Sequence, residues 1–308
     1  MWILLFIFLL ATSSFSATVD VVTIITKDEM GMDIPSPSDI YYDPAGDEIY
    51  AVIPGKNKIV VYSSDYFPVA SLGRGRGLRN PVGVTVDRNG NVYVCEGSPP
   101  RIVVFNAAFF KIKEIALKGF KGCEGFIPKR IAVGPDGRIF VAGSGVVGLL
   151  VFDNEGKYLG SIVPVDSVIP GKEENATIDD VAIDSKGNIY MISEYMGRGY
   201  VYDYSGSFLF KFGMKGGSSG KLSRPEGIAI DEVKKRIFVV DYMRHTISIY
   251  SLIDGRYIDE FGGLGWLPGW FCYPTDVEVD GRGNVIVSDN FNKRIQVLKV
   301  EPGIMKVK

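Results

Sequence analysis

Residues suited to nucleophilic catalysis are scarce in this chain. It has a single histidine, His245, in the stretch Asp241-Tyr242-Met243-Arg244-His245, and no serine nucleophile motif lies near it. A Ser-His-Asp triad needs a histidine within reach of an activated serine. With one histidine and no C-x-x-C spacing, the sequence also offers no recognisable zinc ligand set. We therefore predict that His245 is a solvated turn residue.

Carboxylates are the second candidate for chemistry, because three of them recur at one position of a repeated triplet. Asp39, Asp180 and Asp276 are each the third residue of such a triplet, and Arg130 takes the same position in another. Three carboxylates around one opening could hold Ca²⁺, which prefers oxygen ligands. The alternative is that they bond neighbouring backbone amides or pair with Arg130. We adopt this second interpretation and assign no metal ligands or other cofactor, although calcium stays open.

Aromatic and arginine side chains are concentrated in two connecting segments. Residues 262–273, GGLGWLPGWFCY, contain Trp266 and Trp270, and residues 73–80, GRGRGLRN, contain Arg74 and Arg76. Exposed Trp and Arg side chains are frequent energetic centres of binding interfaces. The same tryptophans could instead be packing residues, so both interpretations remain open for them.

A repeat of about 44–50 residues positions all of these side chains. The repeats begin at Pro37, Pro81, Pro128, Ile178, Pro225 and Pro274. Each contains a short apolar strand, a turn such as DRNGN or DGRGN, and two more apolar strands. Their consecutive apolar positions are typical of strands covered on both faces, as in sheets stacked around an axis.

The sequence predicts an all-β, six-bladed β-propeller of four-stranded antiparallel blades. The sixth repeat has no clear fourth strand before the chain ends, whereas Val19–Thr26 precedes the first repeat as an isolated strand. We predict that this N-terminal strand closes the last blade. The alternative is that the C-terminal IMKVK supplies the missing strand.

The repeats resemble the NHL repeat family. The resemblance rests on Pro-x-Gly, an apolar strand, Asp-x-x-Gly-Asn, another strand and Asp-x-x-Asn-x-Arg-Ile, and it is clearest in RPEGIAID and YPTDVEVD with the residues that follow them. Ile53 and Gly143 depart from it where other repeats have an acid. The resemblance implies a six-bladed propeller without implying an activity, since relatives include binding scaffolds and enzymes. An amidating lyase with this fold holds zinc with several histidines, and the calcium-dependent lactonases use asparagine ligands that are not evident here.

The N-terminal residues indicate export. Trp2–Leu10 is an apolar run too short to span a bilayer, and small residues precede Ala17. We interpret residues 1–16 as a signal peptide and residues 17–308 as a single propeller domain, in the periplasm or outside the cell. An uncleaved N-terminal membrane anchor is the alternative; after cleavage we expect no stable membrane span.

Export also bears on the three cysteines. Cys95 ends the second strand of the second blade and Cys123 lies in the connection that leaves it. Disulfides are favoured outside the cytosol, so we predict a Cys95–Cys123 bridge, with Cys272 left as a free thiol. The alternative is that all three are buried thiols.

These observations favour a non-catalytic scaffold over an enzyme. We call the face that bears the second-to-third strand turns and the blade connections the top, and the opposite face the bottom. Binding of a protein, peptide or glycan is expected on the top, through Trp266, Trp270, Arg74 and Arg76, with Asp39, Arg130, Asp180 and Asp276 at the mouth. The bottom is expected to have few large side chains. A calcium-dependent lactonase-like hydrolase is the alternative.

Charge and length complete these expectations. The chain has 34 basic and 36 acidic residues, and this balance gives no reason to expect nucleic-acid binding. We expect a monomer.

Overall fold

The computed structural model describes residues 17–303, and these form six four-stranded antiparallel sheets arranged as blades around an axis. Within this range, helix is confined to three short 3-10 turns, at Pro54–Lys56, Arg74–Arg76 and Cys123–Gly125. The predicted six-bladed, all-β propeller is confirmed. The signal peptide predicted for residues 1–16 lies outside the described residues, as does the C-terminal IMKVK.

The first three blades are continuous in sequence, and their strands follow one another from the inner to the outer edge. Blade 1 contains β2 (Asp39–Asp43), β3 (Glu48–Ile53), β4 (Lys58–Tyr62) and β5 (Pro68–Leu72). Blade 2 contains β6 (Pro81–Val86), β7 (Val92–Gly97), β8 (Pro100–Phe105) and β9 (Lys111–Ala116). Blade 3 contains β10 (Ile127–Val133), β11 (Ile139–Ser144), β12 (Leu149–Phe152) and β13 (Tyr158–Ile162).

The connection into blade 4 contains a small ribbon of β14 (Val165–Asp166) and β15 (Glu174–Asn175). Blade 4 contains β16 (Asp180–Ile183), β17 (Ile189–Ser193), β18 (Arg198–Tyr202) and β19 (Phe208–Phe212). Blade 5 contains β20 (Pro225–Asp231), β21 (Arg236–Asp241), β22 (Thr246–Ser251) and β23 (Tyr257–Gly262). Blade 6 contains, from inner to outer strand, β24 (Pro274–Val279), β25 (Val285–Asp289), β26 (Arg294–Glu301) and β1 (Thr18–Ile25).

The ring is closed by the N-terminal strand. β1 pairs antiparallel with β26 from Thr18 opposite Glu301 to Ile25 opposite Ile295, in the position that a fourth strand has in every other blade. Its burial is shared with blade 5, because Ala17 and Val19 join the same apolar cluster as Phe238. The predicted closure of the last blade by the N-terminal strand agrees with this sheet order.

Recurrent acids explain the turn sequences. Asp87, at the end of the first strand of blade 2, accepts hydrogen bonds from the backbone of Asn89 and Asn91 and from the Asn91 amide. Asp184 and Asp280 do the same in blades 4 and 6. Such side-chain bonds satisfy the amides of a tight turn, which is why Asp-x-x-Gly-Asn recurs on the bottom.

A second set of acids ties the connections into blades 2, 5 and 6 to those blades. Asp289 accepts from the Cys272 backbone N–H at 2.7 Å and from Arg294 Nε at 2.7 Å, and Asp241 accepts from Ser223 at 2.6 Å. Gly143 takes this position in blade 3 because any side chain there would overlap the Ile127 carbonyl oxygen. The departure from the repeat pattern therefore follows from the course of the preceding connection.

Candidate functional site

The first strands of blades 1, 3, 4 and 6 bring four predicted residues together at the top of the axis. Arg130 Nε lies 2.9 Å from Asp39 Oδ1 and 3.9 Å from Asp180 Oδ1. The same guanidinium donates to the backbone carbonyls of Ser38 at 3.0 Å and Thr275 at 3.1 Å. Arg130 thus spans the mouth and contacts the residue that precedes the mouth acid in blades 1 and 6.

The carboxylates at this mouth also bond the next blade. Asp39 accepts from the Val84 N–H at 2.8 Å, and Asp180 accepts from Ile228 at 2.9 Å. Asp276 accepts from Ile40 at 2.8 Å, across the seam between the last blade and the first.

Each of these acids is buried, and burial raises the pKa of all three carboxyls while Arg130 opposes the rise. The geometry favours the interpretation in which they hold blades together. Within residues 17–303 no group of three His, Cys, Asp or Glu side chains is arranged to hold a metal ion.

Below the mouth the channel widens into a cavity of about 440 Å³. Its wall includes Glu278, Tyr41 and Thr85, which lie two residues beyond the mouth positions of their strands. Burial raises the pKa of the Glu278 carboxyl, and the Asp276 carboxylate adds to that rise. Sequence reasoning missed these residues, although alternate positions of an inner strand share one face and would have indicated them.

His245 has a structural environment that differs from the prediction. It is only 8% exposed, and its Nδ1 accepts the Tyr273 backbone N–H at 3.0 Å. Its ring meets the Tyr273 ring edge-on at 4.6 Å between centroids, and burial lowers the pKa of the imidazole. The expectation of a solvated turn residue was wrong, because the connection into blade 6 covers this turn.

The cysteine bridge predicted for blade 2 is not formed in the structure. Cys95, Cys123 and Cys272 are all free thiols. Cys95 lies in the apolar cluster between blades 2 and 3, and Cys123 packs against the edge of that cluster. Burial raises the pKa of the Cys95 thiol, and a thiol kept protonated is a poor nucleophile for disulfide exchange. Blade packing accommodates Cys95 as a small apolar residue.

The connection into blade 6 presents both tryptophans on the top. Trp266 is 79% exposed and Trp270 is 47% exposed. Their backbone is held by Arg294, whose guanidinium donates to the carbonyl oxygens of Trp266 at 2.8 Å and Trp270 at 3.0 Å. Only Phe271 of this segment enters the core, where it is fully buried. The Trp side chains are therefore surface residues of an ordered loop.

The connection into blade 5 has the same backbone hydrogen bonds. Phe271 corresponds to Leu222, 49 positions earlier, and both are fully buried. Three backbone hydrogen bonds within one segment each have an equivalent within the other. In the connection into blade 5 they run from Leu222 N to Met214 O, Gly216 N to Leu222 O and Lys221 N to Ser218 O. In the connection into blade 6 they run from Phe271 N to Gly263 O, Gly265 N to Phe271 O and Trp270 N to Leu267 O. In this register Gly217 corresponds to Trp266 and Lys221 to Trp270. The loop conformation therefore does not need tryptophan at either position.

The predicted arginines do not join the tryptophans. Arg74 and Arg76 form the 3-10 turn in the connection from blade 1 to blade 2, and blades 6 and 1 separate it from the connection into blade 6. Arg76 donates to the Phe109 carbonyl at 3.4 Å and its guanidinium lies 5.0 Å from the Phe110 ring centroid. The two predicted parts of the binding surface are thus separate regions.

The bottom differs from expectation, because it is rich in exposed apolar side chains. They occupy the turns of four blades: Phe67, Phe110, Tyr204, Val233 and Ile253, all at least 60% exposed. Few large side chains were expected there. One of these five residues, Phe110, also contacts the Arg76 guanidinium of the connection from blade 1 to blade 2.

Comparison with known proteins places the fold in a known class. Residues 271–298 match the NHL repeat model, so the last blade contains a recognised NHL repeat. No curated protein matches the chain significantly. Among residues 17–303, no helix has the length and apolarity needed to cross a membrane.

Solved structures resemble the whole ring. A Bacteroides thetaiotaomicron protein of unknown function has a TM-score of 0.68 at 16% identity, over 93% of this chain and 76% of that one. An auxiliary nutrient binding protein from Bacteroides ovatus has a TM-score of 0.67 at 16% identity, over 93% and 77%. A catalytically inactive virginiamycin B lyase from Staphylococcus aureus with quinupristin has a TM-score of 0.60 at 15% identity, over 95% and 90%. At these identities the likeness shows the propeller fold alone.

Proposed function

We propose that this protein is a non-catalytic propeller that binds a protein, peptide or glycan through the top of blade 6. One observation carries the proposal. The connections into blades 5 and 6 have the same backbone hydrogen bonds. Only the connection into blade 6 has tryptophans, Trp266 and Trp270, at the positions that Gly217 and Lys221 occupy in the connection into blade 5.

Exposure supports an intermolecular role for these rings. Leu264 and Leu267 of the same connection are more than 60% exposed, as is Phe291 of the adjacent turn. Asn292 donates to the Gly265 carbonyl at 2.9 Å, so turn and connection are held side by side. An apolar patch of this kind on an ordered surface is typical of a partner-binding site.

Three features support a binding role over an enzymatic one. The only histidine is committed to a backbone amide. The mouth carboxylates are occupied by backbone amides and Arg130. The auxiliary nutrient binding proteins among the structural neighbours support a ligand-binding role, although the neighbours also include lyases.

The proposal includes export of the propeller after removal of residues 1–16, and a monomer in solution. Arg74 and Arg76 are proposed as a second contact on the flank between blades 1 and 2, for a partner large enough to span blades 6 and 1. Of the mouth residues, only Arg130 is proposed to contact such a partner, whereas the buried Asp39, Asp180 and Asp276 are proposed to hold Arg130 and the neighbouring blades in place.

The test uses the chain's own matched loop. In W266G/W270K each tryptophan takes the residue of the connection into blade 5. We expect capture of partners from an envelope extract to weaken by at least about 2 kcal/mol, roughly thirtyfold, with little change in melting temperature. R74Q/R76Q should weaken capture less. Undiminished capture by W266G/W270K would exclude this surface, and a collapsed fold would show that the rings are packing residues.

A further inference from the structure

Blade 3 differs from the other blades at the turn between its first and second strands. In the other five blades the first residue of this turn is an acid: Asp43, Asp87, Asp184, Asp231 or Asp280. Blade 3 has Gly134 there. Its backbone bonds, from Gly134 N to the Arg138 carbonyl and from Gly137 N to the Gly134 carbonyl, are those of the equivalent turns in blades 2, 4 and 6. The turn therefore keeps its conformation without the acid.

Blade 3 also lacks the hydroxyl group that bonds this acid elsewhere. In blade 2 the Tyr93 hydroxyl donates to Asp87 at 3.4 Å. In blade 4 the Tyr190 hydroxyl donates to Asp184 at 3.3 Å. The equivalent residue of blade 3 is Phe140, which is buried. Acid and hydroxyl are thus absent together, so the turn loses a fixed negative charge without leaving a buried hydroxyl unpaired.

The Arg138 guanidinium is held in place above Phe140. Its central carbon lies 5.4 Å from the Phe140 ring centroid. Its Nε donates to the Asp136 carboxylate at 2.6 Å, and its Nη2 donates to the Tyr204 carbonyl at 2.6 Å. Among residues 17–303 no acceptor bonds Nη1. A positioned arginine therefore has one terminal nitrogen free to bind an acceptor from outside the chain.

A cavity of about 360 Å³ lies beside this guanidinium on the bottom. Two more basic side chains line it, Arg88 from the turn of blade 2 and Lys186 from the turn of blade 4. Neither side chain forms an ion pair or a hydrogen bond within the described part of the chain. One acid, Asp136, is also part of the lining, and it pairs with Arg138. The wall of the cavity therefore has more positive than negative side chains.

The lining indicates the chemistry of a ligand. Basic side chains from three blades suit a tetrahedral oxyanion, because its oxygens accept hydrogen bonds from several directions and arginine binds phosphate in this way. Tyr204, which is 62% exposed, and Pro135 add an apolar wall. A volume of this size is in the range of small-ligand sites. Both an anionic group and an organic part can therefore be accommodated.

We propose that the cavity between the turns of blades 2, 3 and 4 binds a small phosphate monoester. Arg88, Arg138 and Lys186 donate to the phosphate group, and Tyr204 contacts the organic part. The proposal does not depend on the function proposed for the top of blade 6, with which this site shares no residue.

The first test is calorimetric titration with phenyl phosphate, inorganic phosphate and phenol at constant ionic strength. We expect phenyl phosphate to bind more tightly than inorganic phosphate, and phenol to give no binding. R88Q/K186Q and R138Q should each weaken the binding of phenyl phosphate at least tenfold. The double variant changes two exposed side chains without described partners, so its fold is expected to be intact.

Arg282 supplies the matched control. It is also an arginine of a bottom turn near an aromatic ring, 4.7 Å from the Tyr66 centroid, but its blade keeps the turn acid Asp280 at 3.7 Å from its Nε. R282Q should therefore bind phenyl phosphate like the parent. G134D restores the acid that the other blades have and should weaken binding at least tenfold.

Three results would overturn the proposal. The first is no binding of phenyl phosphate, and the second is an equal loss of affinity in R88Q/K186Q and R282Q. The third is benzoate binding as tightly as phenyl phosphate, because the site would then recognise a carboxylate and not a phosphate group.

Discussion

Blades 5 and 6 are both four-stranded antiparallel sheets, but their strands come from different parts of the chain. Blade 5 is continuous in sequence, whereas blade 6 takes its outer strand from the opposite end of the chain. The connections that lead into them share their hydrogen bonds, yet one exposes glycine, serine and lysine and the other tryptophan and leucine. The two blades thus have the same backbone hydrogen bonds, and the differences between their exposed side chains are not required by the fold.

The largest effect is expected from removing the N-terminal outer strand, which only blade 6 has. Deleting Val19–Thr26 should lower the free energy of unfolding by roughly 5 kcal/mol or more, which is comparable with the total stability of many domains. The cause is exposure of β26 and of the apolar cluster shared with blade 5. Denaturant unfolding measures the loss. If the deleted protein unfolds like the parent, β1 does not close the ring.

The equivalent acids of the two blades should differ in importance. Asp289 accepts from Arg294, Asn292, Gln296 and the Cys272 backbone, all in blade 6 or its connection. D289A should cost about 3 kcal/mol, because it leaves the buried Arg294 guanidinium with backbone carbonyl partners but without a carboxylate to balance its charge.

Asp241 accepts only backbone N–H groups among its described hydrogen bonds. D241A should therefore cost less than D289A by urea denaturation. Equal losses of unfolding free energy in D241A and D289A would mean that the hydrogen bonds to backbone amides of the connections, and not the ion pair with Arg294, account for the stability that each acid contributes.

The inner strands of these blades also differ, with Asp276 in blade 6 where blade 5 has Gly227. Burial raises the pKa of Asp276 above its ordinary value, so ionisation is more costly in the folded state. Its contribution to stability is present below the unfolded pKa and is lost as pH rises through the folded pKa.

Because asparagine cannot ionise, the stability of D276N relative to the parent should rise between pH 4 and pH 8. Thermal melts at both pH values measure this. A difference that stays constant with pH would show that Arg130 keeps Asp276 ionised throughout.

The smallest effect is expected from placing the two tryptophans of the connection into blade 6 at the equivalent positions of the connection into blade 5. G217W/K221W should leave the free energy of unfolding within about 0.5 kcal/mol of the parent, since both positions are on the surface of a loop with unchanged bonds. A larger loss in urea denaturation would mean that the two connections are less equivalent than their hydrogen bonds indicate.

How far the sequence predicts this molecule depends on whether a feature repeats locally. The strand windows and the closing strand were predictable, because their apolar runs and turn residues recur in register. The carboxylates at the mouth were also found, because they share a position after each strand-opening triplet.

Features created by packing between distant segments were not predictable in the same way. His245 is buried by a connection 28 residues later in the chain. Glu278 was overlooked because only the strand starts were compared. Cys95 and Cys123 lie near one cluster, but their shared neighbourhood does not by itself make a bond.

The closing strand has a mechanical consequence. β1 runs from the bottom to the top, antiparallel to β26, and its hydrogen bonds are perpendicular to both strands. Tension between the N-terminal end of β1 and a load on the top therefore acts along the strands and shears all of these bonds together. A ring fastened in this way resists pulling far better than one whose last strand could be peeled off bond by bond.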